Sequence, residues 1–173
     1  WPERETRHLP EFELPEIQRI DLAATVLSLY AWGGDPRRFA WLDPPSVESM
    51  DSAHRLLAML GAITAESGGR ITDLGQRMLE LPVHPRLARL VLAAQEQGMA
   101  AAGCLLAAQL SNRAAAGRLI QQTTVQLLRL LGAGQQPLPR DPFDRLYAAP
   151  EILVAAWPDR VAMLRDGGEG RYL

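Results

Sequence analysis

The stretch that decides the fold runs from Leu60 to Leu92, LGAITAESGGRITDLGQRMLELPVHPRLARLVL. Gly61 suits the left-handed position that closes a helix, because glycine has no Cβ and adopts positive φ without strain. Ser67-Gly68-Gly69 lies between two short apolar arms and predicts the turn of a β-hairpin. Thr72 or Asp73 can cap the helix that follows. A helix, a hairpin and a helix in this order predict a winged-helix core.

The residues before this core predict an extended lead-in and two helices. Residues 1–14 carry two prolines and mixed charges without a helical period, which is typical of an extended segment. The spacing of apolar residues predicts one helix over residues 15–31 and a second over residues 46–60. We therefore assign residues 15–82 to a winged-helix domain.

The residues after the core predict a short helical bundle over 83–131. Pro85 can begin its first helix, since proline is tolerated at the first helical position. Residues 132–142, GAGQQPLPRDP, form a linker because their prolines forbid a regular helix, and residues 143–173 resume helical character. The predicted fold class is mostly α, with a winged-helix domain that includes a small β-hairpin wing, followed by a short helical bundle.

Cysteine content and hydropathy limit the cellular setting. The single Cys104 lies among leucines and alanines, so a disulfide within one chain is excluded and a buried thiol is predicted. The longest apolar run, residues 99–108, has about half the length that crossing a bilayer requires. Residues 1–19 are charged throughout and do not resemble a signal peptide. We expect a cytoplasmic protein that does not engage a membrane.

The charges are distributed unevenly along the chain. All 18 basic residues are arginines, which excludes a phosphate-loop lysine and a Schiff-base lysine. Although the net charge is −2, residues 81–150 hold seven arginines against three acidic residues. No carboxylate occurs between Gln97 and Arg140. This middle region would tolerate a polyanion that the remainder would repel, although arginines on a solvated surface remain the other interpretation.

No catalytic or metal-binding motif is apparent. His8, His54 and His84 have no nucleophile or acid placed around them by a motif, and no two have ligand spacing. Residues 132–134, Gly-Ala-Gly, lack the lysine and the following helix that a phosphate-binding loop needs. The sequence therefore predicts neither an active site nor a metal site.

Several groups of residues occur in an order that carries a family resemblance: Pro15-Glu16-Ile17-Gln18-Arg19, Asp21-Leu22, Trp41-Leu42-Asp43-Pro44-Pro45, Leu60-Gly61-Ala62-Ile63, and RITDLGQRMLELPVHPRLARL from Arg70 to Leu90. Together they resemble the region that follows the motor domains in DEAH-box RNA helicases. Trp32-Gly33, and later residues 157–162 and 170–173, are most similar to the bacterial HrpB branch. The resemblance covers residues 1–113 well and 151–173 less closely, while residues 114–150 are shorter than the family implies.

The resemblance implies how the chain is placed in a larger enzyme. Trp1 would follow the last motor motif, so the ATP-binding loop and the catalytic acidic motif would lie upstream. This chain alone would then be no enzyme and would hold no cofactor, since ATP and Mg²⁺ belong to the motor domains. Residues 83–131 would be the start of a truncated ratchet domain, which lies along RNA in the family. Residues 143–173 would lead into an incomplete β-barrel.

Four arginines are the expected nucleic-acid-binding residues: Arg86, Arg89, Arg113 and Arg118. Under the hypothesis that the chain guides single-stranded RNA past the motor and transmits motor movement, they would hold phosphates. Contacts of this kind give weak affinity without sequence specificity. The expected partners are therefore single-stranded RNA and the motor domains of the parent helicase.

Two alternatives remain open at this point. A free-standing winged-helix regulator would read duplex DNA with the helix before the wing, but that helix carries Glu48 and Asp51 and is too acidic to suit a groove. A protein-interaction module without a nucleic-acid role is the other alternative. The carboxylate-free middle of the chain argues against it, and binding measurements would decide.

Overall fold

A computed structural model describes residues 15–65, 69–112, 117–134 and 136–162. The regular elements in these ranges are helices joined by loops. They contain 3₁₀ turns at Glu16–Gln18 and Pro158–Arg160. The α-helices, in chain order, are α1 Ala23–Ala31, α2 Val47–Met59, α3 Asp73–Leu79, α4 Pro85–Glu96, α5 Ala100–Ser111, α6 Gly117–Leu130, α7 Phe143–Leu146 and α8 Pro150–Ala156. The mostly helical class is as predicted.

The first predicted helix is divided in two. Instead of one helix over residues 15–31, the structure has a 3₁₀ turn followed by α1, which begins at Ala23. The cause is Asp21, whose Oδ1 accepts a hydrogen bond from the Ala23 N–H at 2.8 Å. An aspartate side chain that binds the backbone two residues ahead competes with helix continuation and favours a new helix start.

Helix α2 is capped at both ends, and the closure at Gly61 is the one that the sequence predicts. At its start the Ser46 hydroxyl accepts the Ser49 N–H at 3.0 Å. At its end Gly61 has φ of +72°, and the Ala62 N–H donates to the Leu57 carbonyl at 2.9 Å. This left-handed closure reverses the chain and directs Ala62 and Ile63 back across the domain.

The predicted β-hairpin wing is not formed as a pair of strands in the described residues. It is reduced to a single antiparallel bridge between Ile63 and Ile71. Two local side-chain bonds explain the difference. The Thr64 Oγ1 accepts the Arg70 N–H at 3.0 Å, and the Thr72 side chain caps α3, so the arm ends at Thr72, whose N–H donates to the Ala62 carbonyl at 3.0 Å. The turn residues 66–68 lie outside the described residues.

The Thr72 hydroxyl joins the end of α2 to the start of α3. It donates to the Gly61 carbonyl at 2.6 Å and accepts the Gly75 N–H at 3.0 Å. Gly75 then lies directly against the Ala62 backbone, where a Cβ would overlap the Ala62 carbonyl oxygen and approach Ile71 Cγ1 to 2.9 Å. Thr72, of the two candidate caps, is therefore the one used.

Helices α1 and α4 begin beside each other because their caps interact. His84 precedes Pro85, and its Nδ1 accepts the Arg86 N–H at 3.3 Å. Its Nε2 therefore carries the proton and lies 3.4 Å from Asp21 Oδ2. This hydrogen bond from His84 is the main reason that the pKa of Asp21 lies below its usual value. One residue pair thus fixes the N-termini of two helices.

The helices after the core form a layered bundle. Helix α5 packs between α4 and α6, α8 packs on α4, and α7 contacts α5. Close approach of α4 and α5 depends on Gly103, since an added Cβ would overlap the Ala94 methyl group. Cys104 is fully buried in this layer, and burial raises the pKa of its thiol to about 12.

A single hydrophobic core extends across the two predicted units. Its buried residues run from Leu22 before α1 to Ala156 at the end of α8. The assigned boundary between residues 15–82 and 83–131 therefore stays a prediction. The lead-in over 1–14 and the last part of the segment expected to lead into a barrel, residues 163–173, lie outside the described residues.

The C-terminal segment is fastened to α4 by an ion pair that we call the clasp, formed by Arg86 and Asp159. The Arg86 guanidinium donates to the two Asp159 carboxylate oxygens at 2.5 and 2.8 Å and to the Ala156 carbonyl at 3.2 Å. Such two-point arginine–carboxylate pairs are strong and geometrically specific. Arg86 is also the main reason that the pKa of Asp159 lies below its usual value.

We predict that Gly75→Ala destabilises the protein by about 1–3 kcal/mol, because the backbones of α3 and Ala62 must separate to admit a methyl group. In an open helix position the same change is stabilising by up to about 1 kcal/mol. Gly117→Ala is the matched control, since no atom lies within 4 Å of its added Cβ. Urea unfolding of both variants measures the difference, and equal effects would contradict the proposed close packing.

We predict that Asp159→Asn lowers the free energy of unfolding by about 1–3 kcal/mol near neutral pH, because a charged donor loses its carboxylate. A carboxyl with a lowered folded pKa contributes stability above its unfolded pKa of about 3.9, and that contribution is lost as the pH falls through the folded value. The difference between wild type and variant should therefore narrow with acidification. Urea unfolding at several pH values measures it. Asp43→Asn, at an exposed carboxylate, is the control, and equal effects of the two changes would refute the clasp.

Candidate nucleic-acid interface

The clasp limits what Arg86 can bind. Its side chain is 18% exposed, and its guanidinium is held by Asp159 and the Ala156 carbonyl. A phosphate would have to displace the carboxylate before it could contact this arginine. The structure thus gives Arg86 a fastening role, whereas the sequence suggests a phosphate partner.

Arg89 also faces inward from α4. Its side chain is 20% exposed, and its Nη1 lies 3.9 Å from Glu96 Oε2. That Nη1 is completely buried and has no hydrogen-bond partner among the described residues. Arg77 approaches the other oxygen of Glu96 at the same 3.9 Å distance. The two arginines therefore share one carboxylate, and Arg89 is poorly placed to meet a polyanion.

Arg118 is the predicted residue that is open to solvent. It lies on the outer face of α6 and borders a hollow of about 500 Å³. We call this face the α6 strip, and its residues are Arg118, Gln121, Gln122, Val125, Gln126 and Arg129. All six are exposed. They share one side of α6, because residues about three, four, seven or eleven positions apart return to the same face of a helix. The fourth predicted residue, Arg113, lies outside the described residues.

The hollow beside α6 continues along the molecule. A second concavity of about 570 Å³ shares Gln121, Val125 and Arg129 with the first and extends to Gln136 and Leu138 in the linker. A third, of about 350 Å³, shares the same two linker residues and is bordered at its far side by Arg145. The linker thus lines neighbouring concavities between α6 and α7, and we call the three concavities together the path.

This path is distinguished by uncompensated positive charge. None of the residues that line its three concavities is acidic, as expected from the absence of carboxylates between Gln97 and Arg140. Within the described ranges, Arg118 and Arg129 have neither an ion pair nor a side-chain hydrogen bond. Other arginines lie within 4 Å of a carboxylate, namely Arg37, Arg38, Arg77, Arg86, Arg89 and Arg160.

The opposite character prevails along α2. A groove of about 640 Å³ there is lined by the acidic residues Asp21, Glu48 and Asp159, by Arg55 and Arg86, and by the exposed apolar side chains of Ile20 and Met59. Its excess of acidic groups and its apolar surface suit a protein partner better than a nucleic acid. The acidic nature of the helix before the wing, inferred from sequence, is thus a feature of the folded surface.

Sequence reasoning missed two parts of this interface. Arg129 is eleven residues from Arg118, three helical turns, and that spacing would have placed both on one face. Arg145 could not have been found in this way, because its position beside the path depends on how α7 packs against α5. The glutamines of α6 were recognised only as neutral hydrogen-bond formers.

His54, His84 and Cys104 have structural surroundings, and His8 lies outside the described residues. Tyr30 and His54 share a hydrogen bond of 2.9 Å between the hydroxyl and Nδ1, and His84 caps α4. Within the described part of the chain, no three histidine, cysteine, aspartate or glutamate side chains are grouped as a metal site would need. The helices described there also include none with the length and apolarity that a membrane crossing requires.

Comparison with known sequences identifies one domain directly. The family described as helicase associated domain (HA2), winged-helix, matches residues 53–83. These residues extend from the middle of α2, through the bridge and α3, to the residue before the α4 cap. The winged-helix interpretation of the deciding stretch is therefore confirmed, with a bridge in place of the two-stranded wing.

Two bacterial relatives are similar over larger parts of the chain. The ATP-dependent RNA helicase HrpB of Escherichia coli is 34% identical over 171 residues, which is 91% of this chain and 20% of that protein. The ATP-dependent RNA helicase HrpA of Escherichia coli is 41% identical over 106 residues, or 59% of this chain and 8% of that protein. The chain thus spans about a fifth or less of the length of these relatives.

Solved structures show the same relationship in three dimensions. The crystal structure of the Escherichia coli DEAH/RHA helicase HrpB has a TM-score of 0.76 and 32% identity, covering 98% of this chain and 22% of that chain. A second structure, of the E. coli DExH-box NTPase HrpB, has a TM-score of 0.75 and 30% identity. The predicted family resemblance is confirmed. The chain contains a winged-helix HA2 helicase-associated domain and is homologous to the HrpB and HrpA DEAH-box RNA helicases of Escherichia coli.

Proposed function

We propose that this chain is the part of a DEAH-box RNA helicase that holds single-stranded RNA weakly on the α6 strip and couples it to the motor domains. The observation that carries the proposal is the pair Arg118 and Arg129, exposed and without carboxylates beside a concave path. Arg113 belongs to the proposed interface through its place in the carboxylate-free segment. Arg86 and Arg89 contribute by fixing α4.

The proposed binding is weak and independent of sequence. Arginine contacts to phosphates release counterions and give affinity that falls with salt, but they carry no information about the bases. The α6 strip has no aromatic side chain on which a base could stack. Few cations and no stacking platform together favour a strand that moves along the path over one that is held in place.

The proposed coupling uses a different surface of the molecule. The groove along α2 offers acidic and apolar groups, which suit docking on protein, and it is bordered by the clasp residues Arg86 and Asp159. Because α5 packs between α4 and α6, displacement of α4 would be transmitted to the RNA-holding helix. ATP hydrolysis and Mg²⁺ binding would belong to the motor domains, so this chain alone would not hydrolyse ATP. The proposed location of the protein is the cytoplasm.

A protein-interaction role without RNA is the second candidate, and the acidic groove favours it. For duplex DNA regulation the structure offers no corresponding support. Asp51 lies on α2, the helix that would enter the major groove of DNA, and its carboxylate pairs with Arg37 at 2.6 Å. The two arms of the wing are joined by a single β-bridge.

We predict that the chain binds single-stranded RNA at about 50 mM salt and that Arg118→Gln with Arg129→Gln weakens this binding. Each lost phosphate contact should lower the slope of log affinity against log salt by about 0.7, so the double variant should lose about 1.4. Fluorescence anisotropy of a labelled oligonucleotide between about 50 and 200 mM salt measures both quantities, with duplex DNA for comparison.

The matched control is Arg38→Gln with Arg55→Gln, which removes the same charge from exposed positions in the winged-helix domain. It should leave the salt slope unchanged. Equal losses from the two double variants would assign the effect to net charge and overturn the interface. Absence of RNA binding at the lower salt would leave the protein-docking role.

A further inference from the structure

The α6 strip contains more than arginine. Between Arg118 and Arg129 it presents three primary amides, Gln121, Gln122 and Gln126, all exposed. Among the described residues, none of the three has a hydrogen-bond partner. The two arginines are eleven residues apart, which is about 16 Å along a helix axis. A strand held by its phosphates at both ends must therefore pass over the amides.

Amides and arginines recognise different parts of a nucleotide. A guanidinium only donates hydrogen bonds, which suits phosphate oxygens, whereas the side chain of glutamine both donates and accepts. The ribose 2′-hydroxyl is likewise a donor and an acceptor, and it is the group by which a protein distinguishes RNA from DNA. The amides are neutral, so their contacts release no counterions and leave the salt dependence unchanged.

We propose that the amides of the α6 strip, Gln121, Gln122 and Gln126, select RNA over single-stranded DNA by hydrogen bonding to ribose 2′-hydroxyls. This inference rests on the proposed function, since the strand must first be held by Arg118 and Arg129. It assigns the two chemical groups of the strip separate tasks. The arginines set affinity and its salt dependence, while the amides set the preference for the sugar.

The test compares oligouridine with oligodeoxyuridine of equal length, because these strands have identical bases and differ in the 2′-hydroxyl. The amide variant is Gln121→Met with Gln122→Met and Gln126→Met. Methionine is similar in length and in helix propensity to glutamine, so α6 is retained. The matched control is Arg118→Met with Arg129→Met, since glutamine at these positions would add amides to the strip. Circular dichroism and urea unfolding verify that each variant is folded.

We expect the wild-type protein to bind oligouridine about three- to tenfold more tightly than oligodeoxyuridine, the size of one or two net hydrogen bonds. In the amide variant this ratio should approach one while the salt slope is retained. In the arginine variant the slope should fall while the ratio is retained.

The outcomes separate this inference from the proposed function. If neither strand binds at about 50 mM salt, the proposed function fails and the inference fails with it. If both strands bind equally to the wild type with the expected salt slope, RNA holding stands and sugar selection is refuted. A preference between oligouridine and oligoadenosine that disappears in the amide variant, with no sugar preference, would place the amides on base edges and overturn the assignment.

Discussion

The fold depends on the contact between Gly75 and the Ala62 backbone. Because α3 carries no side chain at this point, its axis can approach the segment that leaves α2. The Thr72 hydroxyl then satisfies both the carbonyl that α2 leaves free and the first amides of α3. This junction sets the direction of α3 and hence the place where α4 begins. Helices α5 and α8 pack on α4, and α6 and α7 pack on α5, so the position of the bundle follows from this one constraint.

Electrostatic compensation divides the surface into two functional faces. Around α2 and α4, Arg37, Arg86 and Arg89 each lie within 4 Å of a carboxylate, and these ion pairs help to hold the fold together. Helix α6 contains no acidic residue, so the positive charges of Arg118 and Arg129 are not neutralised by a nearby carboxylate among the described residues.

Local chemistry determined what could be read from the sequence. The closure at Gly61, the cap at Thr72 and the proline at the start of α4 each depend on residues within a few positions, and all were predictable. The wing was overestimated, because the Thr64 side chain took the Arg70 amide that a strand pair would have used, and the chain enters α3 directly after Thr72. The role of Arg86 was also beyond prediction, since its partner Asp159 is 73 residues away in the sequence. Long-range pairing of this kind is fixed by packing and leaves no local pattern.

The clasp has a mechanical consequence. It joins two points that are 73 residues apart along the chain, so it forms a short route for force between them. A pull applied to the segment after Asp159 would load the guanidinium–carboxylate pair and α4 first, while α5 and α6 would carry tension only after the pair had broken. The clasp would therefore carry the force itself and protect the α6 strip from a pull applied at the C-terminal side.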